Sequence, residues 1–187
     1  MALTQVAGEL IASGQTIISP TLTSPTISGT PVMGASVITS GTAVASTSGT
    51  SVTFTSIPSW VKRITVMFNG VSTSGTSLLQ IQIGSGSVDT TGYLSIASSS
   101  TSTAYSSGFV ISQNQTAALV RMGSIVLVNV SSNNWVASGI LGDTTASYVT
   151  TQSTGTKTTA STLDRIRLTT VNGTDTFDAG SVNILYE

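Results

Sequence analysis

The sequence predicts an all-β protein: a jelly-roll-like antiparallel β-sandwich knob preceded by an extended Ser/Thr/Pro-rich, fibre-like segment. Three observations carry that expectation. Ser and Thr supply roughly a third of the 187 residues while long helix formers are scarce, and Thr and Val suit strands. Eighteen glycines punctuate the chain at turn positions. Between them, short runs alternate apolar and polar residues with a period of two. Low charge does not signal disorder here, because 39% of the residues are apolar and the formal net charge is only -1. The length allows one main core with an extension, and we place the boundary so that residues 1-40 form an attachment or stalk segment and 41-187 the knob.

The first segment has its own pattern. Met1 to Ala12 fits a short helical turn and a strand equally well. Beyond it, Ile17, Leu22, Ile27, Val32 and Val37 recur every five residues, with Pro20, Pro25 and Pro31 among them in "PTLTSPTISGTP" and its flanks. A step of five alternates faces in a strand and walks around a helix, so neither element gives one chain a buried stripe. Proline also removes ladder donors. Chains winding around a common axis could each contribute one apolar residue per layer, which makes these five residues the expected oligomer and stalk contacts. Deleting Met1 to Thr39 should then spare the β fold and abolish incorporation into an assembly.

From Thr42 onward the strand signals are conventional. "SVTFTSI" puts Val52 and Phe54 on one face, and "WVKRITVMFNGV" aligns Ile64, Val66 and Phe68. In "LLQIQIGSGS", Leu79, Ile81 and Ile83 alternate with Gln80 and Gln82, the spacing of a half-buried strand with an uncharged outer face. Residues 85-107 are small and polar, anchored by Tyr93, Leu94, Ile96 and Tyr105. "SGFVIS" predicts a strand around Phe109, and "IVLVNVSSNNWVASGIL" an apolar strand, a turn at Asn133 and Asn134, and a strand holding Trp135 and Val136. The last two strands are "LDRIRLTTV" and "SVNILYE", the latter with Val182, Ile184 and Tyr186 on one face.

The chemistry-bearing residues are few. There is no His and no Cys, which removes the commonest general base, thiolate chemistry, disulfides and Cys metal sites. Asp89, Asp143, Asp164, Asp175 and Asp178 stand singly at expected turns and strand ends, where capping explains them. Asp175 and Asp178 with Asn172 match no calcium-loop spacing. The Gly/Ser turns lack the partners of a nucleophile elbow and the Lys of a phosphate loop. We therefore expect no enzyme, no cofactor and no metal. Six Lys and Arg scattered singly form no basic patch for nucleic acid, and no apolar run is long enough to span a membrane or to read as a secretory signal. Tyr93, Tyr105, Trp135 and Tyr148 lie in the polar middle of the chain and are the candidate receptor or surface contacts, while Trp60, after a Pro-Ser turn, reads as structural.

Two stretches carry a family likeness. "GTSVTFTSIPSWVKRITVMFNGVSTSGTS", residues 49-77, and "LDRIRLTTVNGTDTFDAGSVNILYE", residues 163-187, resemble segments of tail-fibre and related virion surface proteins of tailed bacteriophages. The resemblance takes in the N-terminal segment, the first strands and the last two, roughly half the chain. It implies a homotrimer on the outside of a virion, made in the host cytoplasm and without catalysis, with Ile57 to Trp60, Ile64 to Phe68 and Phe177 to Tyr186 as fold-defining positions. It implies a short tail fibre whose knob contacts a host cell-surface glycan or protein, held through its N-terminal segment by another phage tail, baseplate or capsid protein. The chain is short for a long tail fibre, so capsid decoration and a baseplate structural role stay open as alternatives.

Overall fold

The computed structural model describes residues 38-113, 115-117, 119-144 and 149-187. The five-residue repeat from Ile17 to Val37 and the candidate contact Tyr148 lie outside the described residues. The strands are β1 (Thr39–Ser40), β2 (Val44–Ala45), β3 (Ser51–Phe54), β4 (Arg63–Thr73), β5 (Leu79–Ser85), β6 (Ser87–Val88) and β7 (Leu94–Ser98). They continue as β8 (Ser102–Tyr105), β9 (Phe109–Val110), β10 (Arg121–Ser131), β11 (Asn134–Asp143), β12 (Thr150–Thr158), β13 (Arg165–Thr170) and β14 (Phe177–Tyr186). The all-β expectation holds, as two antiparallel sheets. The larger runs β1-β14-β4-β10-β11-β12-β7-β8 with β2 also on β14; the smaller runs β3-β13-β5-β6 with β9 also on β5. The first strand starts at Thr39, just ahead of the expected boundary at residue 41.

Alternation explains the core. In the larger sheet, Ile64 and Val66 of β4, Ile125 and Leu127 of β10, Trp135 and Ala137 of β11, and Val182 and Ile184 of β14 point inward. In the smaller sheet Ile81, Ile83, Ile166 and Leu168 do the same. All belong to one hydrophobic cluster, so the two inner faces share a core. Turn chemistry fixes the long hairpin: Ser132 takes a positive φ of 48°, and the Asn129 amide donates to the Ser132 and Asn134 carbonyls at 2.9 and 3.2 Å. Where β14 bulges against β4, Gly180 (φ 89°) has no alternative, because a Cβ there would sit 2.3 Å from the Gly70 carbonyl oxygen.

Strand β9 joins the sheets. Its backbone pairs with β5, and on its other side the Ser95 hydroxyl of β7 accepts from Val110 N–H at 3.1 Å while the Ser153 hydroxyl of β12 donates to the Val110 carbonyl at 2.6 Å. Both serines are buried, standing where ladder partners would otherwise be needed. Replacing either by alanine orphans one buried backbone group, so Ser95→Ala and Ser153→Ala should each lower stability by about 1–3 kcal/mol. Urea denaturation checks this; two unchanged midpoints would remove the serines from the account.

Two expectations need correction. Gln80 and Gln82 were placed on a solvated outer face, yet they are only 2% and 3% exposed. The segment before β9 covers them: Ser107 donates from its hydroxyl to Gln80 Oε1 at 2.8 Å, and its carbonyl accepts from Gln82 Nε2 at 2.7 Å. Leu94 and Ile96, expected as anchors, are exposed instead, since in β7 the inward positions belong to Ser95 and Ala97. The edges of the larger sheet are short strands, the two-residue β1 and β2 on one side and the four-residue β8 on the other.

Candidate functional site

The outward face of the larger sheet is the most unusual surface among the described residues. Pairing aligns its side chains in rows across the strands. One row runs Leu185, Thr65, Val126, Ser138, Thr154 and Ile96. The next runs Met67, Ser124, Ile140, Gln152 and Ser98, and on the other side stand Val128, Val136, Thr156 and Leu94. Leu94 is 62% and Ile140 55% exposed, and Met122, Val128, Val130, Val136 and Ile96 are exposed as well. Between the isoleucines Ile96 and Ile140 the face hollows into a concavity of about 670 Å³ floored by Ser138, Gly139, Ser153 and Thr154. The charged pair on this face is Arg63 with Glu187, 2.8 Å apart at one corner. Isolated surface apolar residues need no explanation, but here they recur across several strands among uncharged hydroxyl and amide side chains, which makes this face the candidate interaction surface.

The candidate contacts from the sequence do not assemble on it. Tyr93 and Trp135 are buried members of the core, which corrects their expected place at a contact surface: both sit at inward-facing positions beneath the strands. Tyr105 is half-buried, its hydroxyl accepting from Gln113 Nε2 at 2.9 Å. Trp60, expected as structural, is instead 54% exposed, leaning on Tyr186 at a ring separation of 5.9 Å. A signal for the apolar face was present in "IVLVNV": a strand apolar on both alternations has two faces to cover.

Tyr93 shows why an aromatic in a polar stretch can be structural. Its hydroxyl accepts from Ile83 N–H at 2.8 Å and lies 3.1 and 3.0 Å from the Ile83 and Asp89 carbonyls, its ring meets Phe109 edge-on at 5.0 Å, and Lys157 Nζ caps the ring 5.2 Å from its centre. Lys157 in turn pairs with Asp89 at 3.1 Å. Burial pushes the phenol above the ordinary tyrosine range, against the opposing pull of the Ile83 hydrogen bond. An acid whose folded form holds its proton more tightly contributes stability below its unfolded pKa and loses it as pH rises. Stability should therefore fall above about pH 10, where the unfolded chain ionises. Tyr93→Phe is expected to cost about 1–3 kcal/mol at neutral pH and to flatten that alkaline decline; an unchanged slope in the variant would assign the decline elsewhere.

The carboxylates divide into two kinds. Asp164 accepts from Gly86 N–H at 3.1 Å and from Arg165, whose hydrogen bond holds the carboxyl below its usual range. Asp175 accepts from Ser77 N–H at 2.8 Å and from the Asn172 amide at 2.7 Å, while Asp178 accepts from the Ser72 hydroxyl. Asp164 and Asp175 thus fix loops, and Asp178 ties β14 to β4. Asp143 goes beyond the turn-capping expectation: it is buried and pairs with the fully buried Arg121 at 3.0 Å. Arg121 also donates to Gln115 Oε1 at 3.3 Å and to the Gln113 carbonyl at 2.6 Å, and Asp143 accepts from Val149 N–H at 3.3 Å. Burial draws the guanidinium below its usual pKa and Asp143 opposes this. Among the described residues no group of three or more acidic side chains gathers as a metal site, and no helix is long and apolar enough to cross a membrane. Compared with known proteins, the chain matches no family model, no curated protein and no solved structure.

Proposed function

We propose that this chain is a non-enzymatic subunit of a homo-oligomeric virion surface assembly, in keeping with its resemblance to tailed-phage fibre proteins, and that the outward face of the larger sheet is where copies meet. The observation that carries the reading is the uncharged face itself, on which the exposed Leu94, Ile96, Val128, Val136 and Ile140 stand among hydroxyl and amide side chains. Its strands from β14 to β7 span roughly 24 Å by 30 Å at ordinary strand spacing and rise, on the order of 700 Å², close to the ~800 Å² per partner of a standard interface. Copies of this face turned toward a common axis bring no like charges into contact away from the Arg63 and Glu187 corner. A trimer is the state implied by the resemblance, with a short tail fibre as the leading placement.

The jelly-roll reading of the knob has topological support. In chain order β3, β4, β5, β7, β8, β9, β10 and β13 distribute so that β3, β13, β5 and β9 neighbour one another in the smaller sheet. In the larger, β4 and β10 are followed by the β11–β12 hairpin and then β7 and β8. Read this way, the fold is a double Greek key widened by one hairpin and extended by β14.

Sedimentation equilibrium tests the assembly claim. The full chain should sediment as a trimer at micromolar concentration, and Ile140→Lys combined with Val136→Lys should yield folded monomer, because both positions are exposed in the separate chain and would bring repelling charges to the joint. A monomeric wild-type chain would overturn the proposal. Gold labelling of particles then separates placements: label on the tail supports the fibre, and label on the head the capsid-decoration alternative.

A further inference from the structure

We propose that the outer face of the smaller sheet carries a binding groove for a carboxylate-bearing sugar, with Arg167 as the residue that recognises the carboxylate. The groove encloses about 300 Å³, at the lower end of the range of small-ligand pockets, and among the described residues Arg167 is the one charged side chain in its lining. Arg167 is half-buried as a residue, and among the described residues no carboxylate pairs with it; Arg63, Arg121, Arg165 and Lys157 each have an acidic partner, and the exposed Lys62 donates to Asn129 Oδ1. A guanidinium bonded only to a neutral amide keeps donors free for an anion.

Its geometry is set in advance. Arg167 Nε and Nη2 both donate to Gln82 Oε1, at 2.9 and 2.5 Å. Gln82 is buried and is itself held by the Ser107 carbonyl, while neighbouring Gln80 is fixed by the Ser107 hydroxyl and the Thr170 carbonyl. Two glutamines placed under a strand by non-local contacts thus lock one edge of the fork. The remaining edge, Nη1 with the second Nη2 proton, is the pair of parallel donors that a carboxylate takes in bidentate fashion. Around it the lining is hydroxyl and amide, from Ser51, Thr90, Thr169 and Asn172, with Val171 as its apolar member. That composition suits a polyhydroxylated ring better than a lipid or an apolar peptide. The inference goes beyond the assembly reading and does not depend on it, since the groove belongs to the opposite sheet from the self-association face.

The test is a two-dimensional NMR titration of the full chain with sodium glucuronate, using glucose and sodium acetate as separate controls. Glucuronate should shift the Arg167 Nε–H and the amides of Ser51 and Thr90 saturably and more tightly than either control, and added salt should weaken the effect. Arg167→Gln should weaken glucuronate binding about tenfold or more. Because that change also frees Gln82, a second variant keeps the network: Thr53→Glu, at the exposed position directly opposite Arg167 in β3, supplies an internal carboxylate and should likewise weaken binding. No saturable shift with glucuronate up to tens of millimolar, equal response to acetate, or undiminished binding in Thr53→Glu would each overturn the proposal. Sedimentation of the same samples keeps this outcome separate from that of the assembly claim.

Discussion

Arg121→Ala should destabilise the fold by about 3–5 kcal/mol, because it leaves the Asp143 carboxylate buried with its main counter-charge gone. The loss reaches beyond the pair. Arg121 holds the segment leading into β10 through Gln113 and Gln115, and Asp143 holds the connection from β11 to β12 through Val149. The contrast that identifies the cause is the double change Arg121→Met with Asp143→Leu, which removes both charges and keeps the volume. It should recover most of the stability, as apolar replacements of buried ion pairs commonly do. Guanidinium denaturation of the three proteins decides the matter: a single variant within 1 kcal/mol of wild type would mean that solvent reaches Asp143, and a double variant as unstable as the single one would locate the effect in the loops.

Phe109→Ala is expected to cost a similar amount, about 3–5 kcal/mol, for a different reason. The ring is fully buried, meets Tyr93 edge-on, and lies where Gly155 of β12 leaves room for it: a Cβ at Gly155 would come within 2.9 Å of Phe109 Cδ1. Since β9 is bonded to β5 on one side and to Ser95 and Ser153 on the other, the cavity opens at the seam between the sheets. Near-ultraviolet circular dichroism should show loss of aromatic packing at lower denaturant than wild type, with Phe109→Leu intermediate. A change confined to the Tyr93 signal, with both sheets melting as before, would show that β9 is not the joint described.

Strands β4, β10, β11, β13 and β14 were legible because their apolar residues alternate or run unbroken. Strand β12, "TTQSTGTKT", was not, and its invisibility has a physical cause. Its inward positions Thr151, Ser153 and Gly155 are small because β9 and the Phe109 ring fill the space in front of them, so tertiary contact replaces the apolar signal. Gln80 and Gln82 were misread for a related reason: what buries them comes from 25 or more residues along the chain, beyond any local pattern. The pairing of Arg121 with Asp143 is equally silent, being fixed by the β10–β11 register and not by spacing. The apolar face was written in "IVLVNV" but resembled core until the strand's two sides were told apart. The candidate groove was legible only as alternating Gln and Arg, which in isolation describe any solvated strand.

The short strands at the borders of the larger sheet bear on how copies could meet in the proposed assembly. Ribbon growth requires a long, flat border to which the next molecule can add its own backbone, and β1, β2 and β8 offer two to four residues each. Proteins often defend such borders with lysine; this one, with few charges, limits them by length. In the proposed assembly, contact between molecules is therefore broadside, through side chains, and a rotation that returns to its start would close the set after a fixed number of copies.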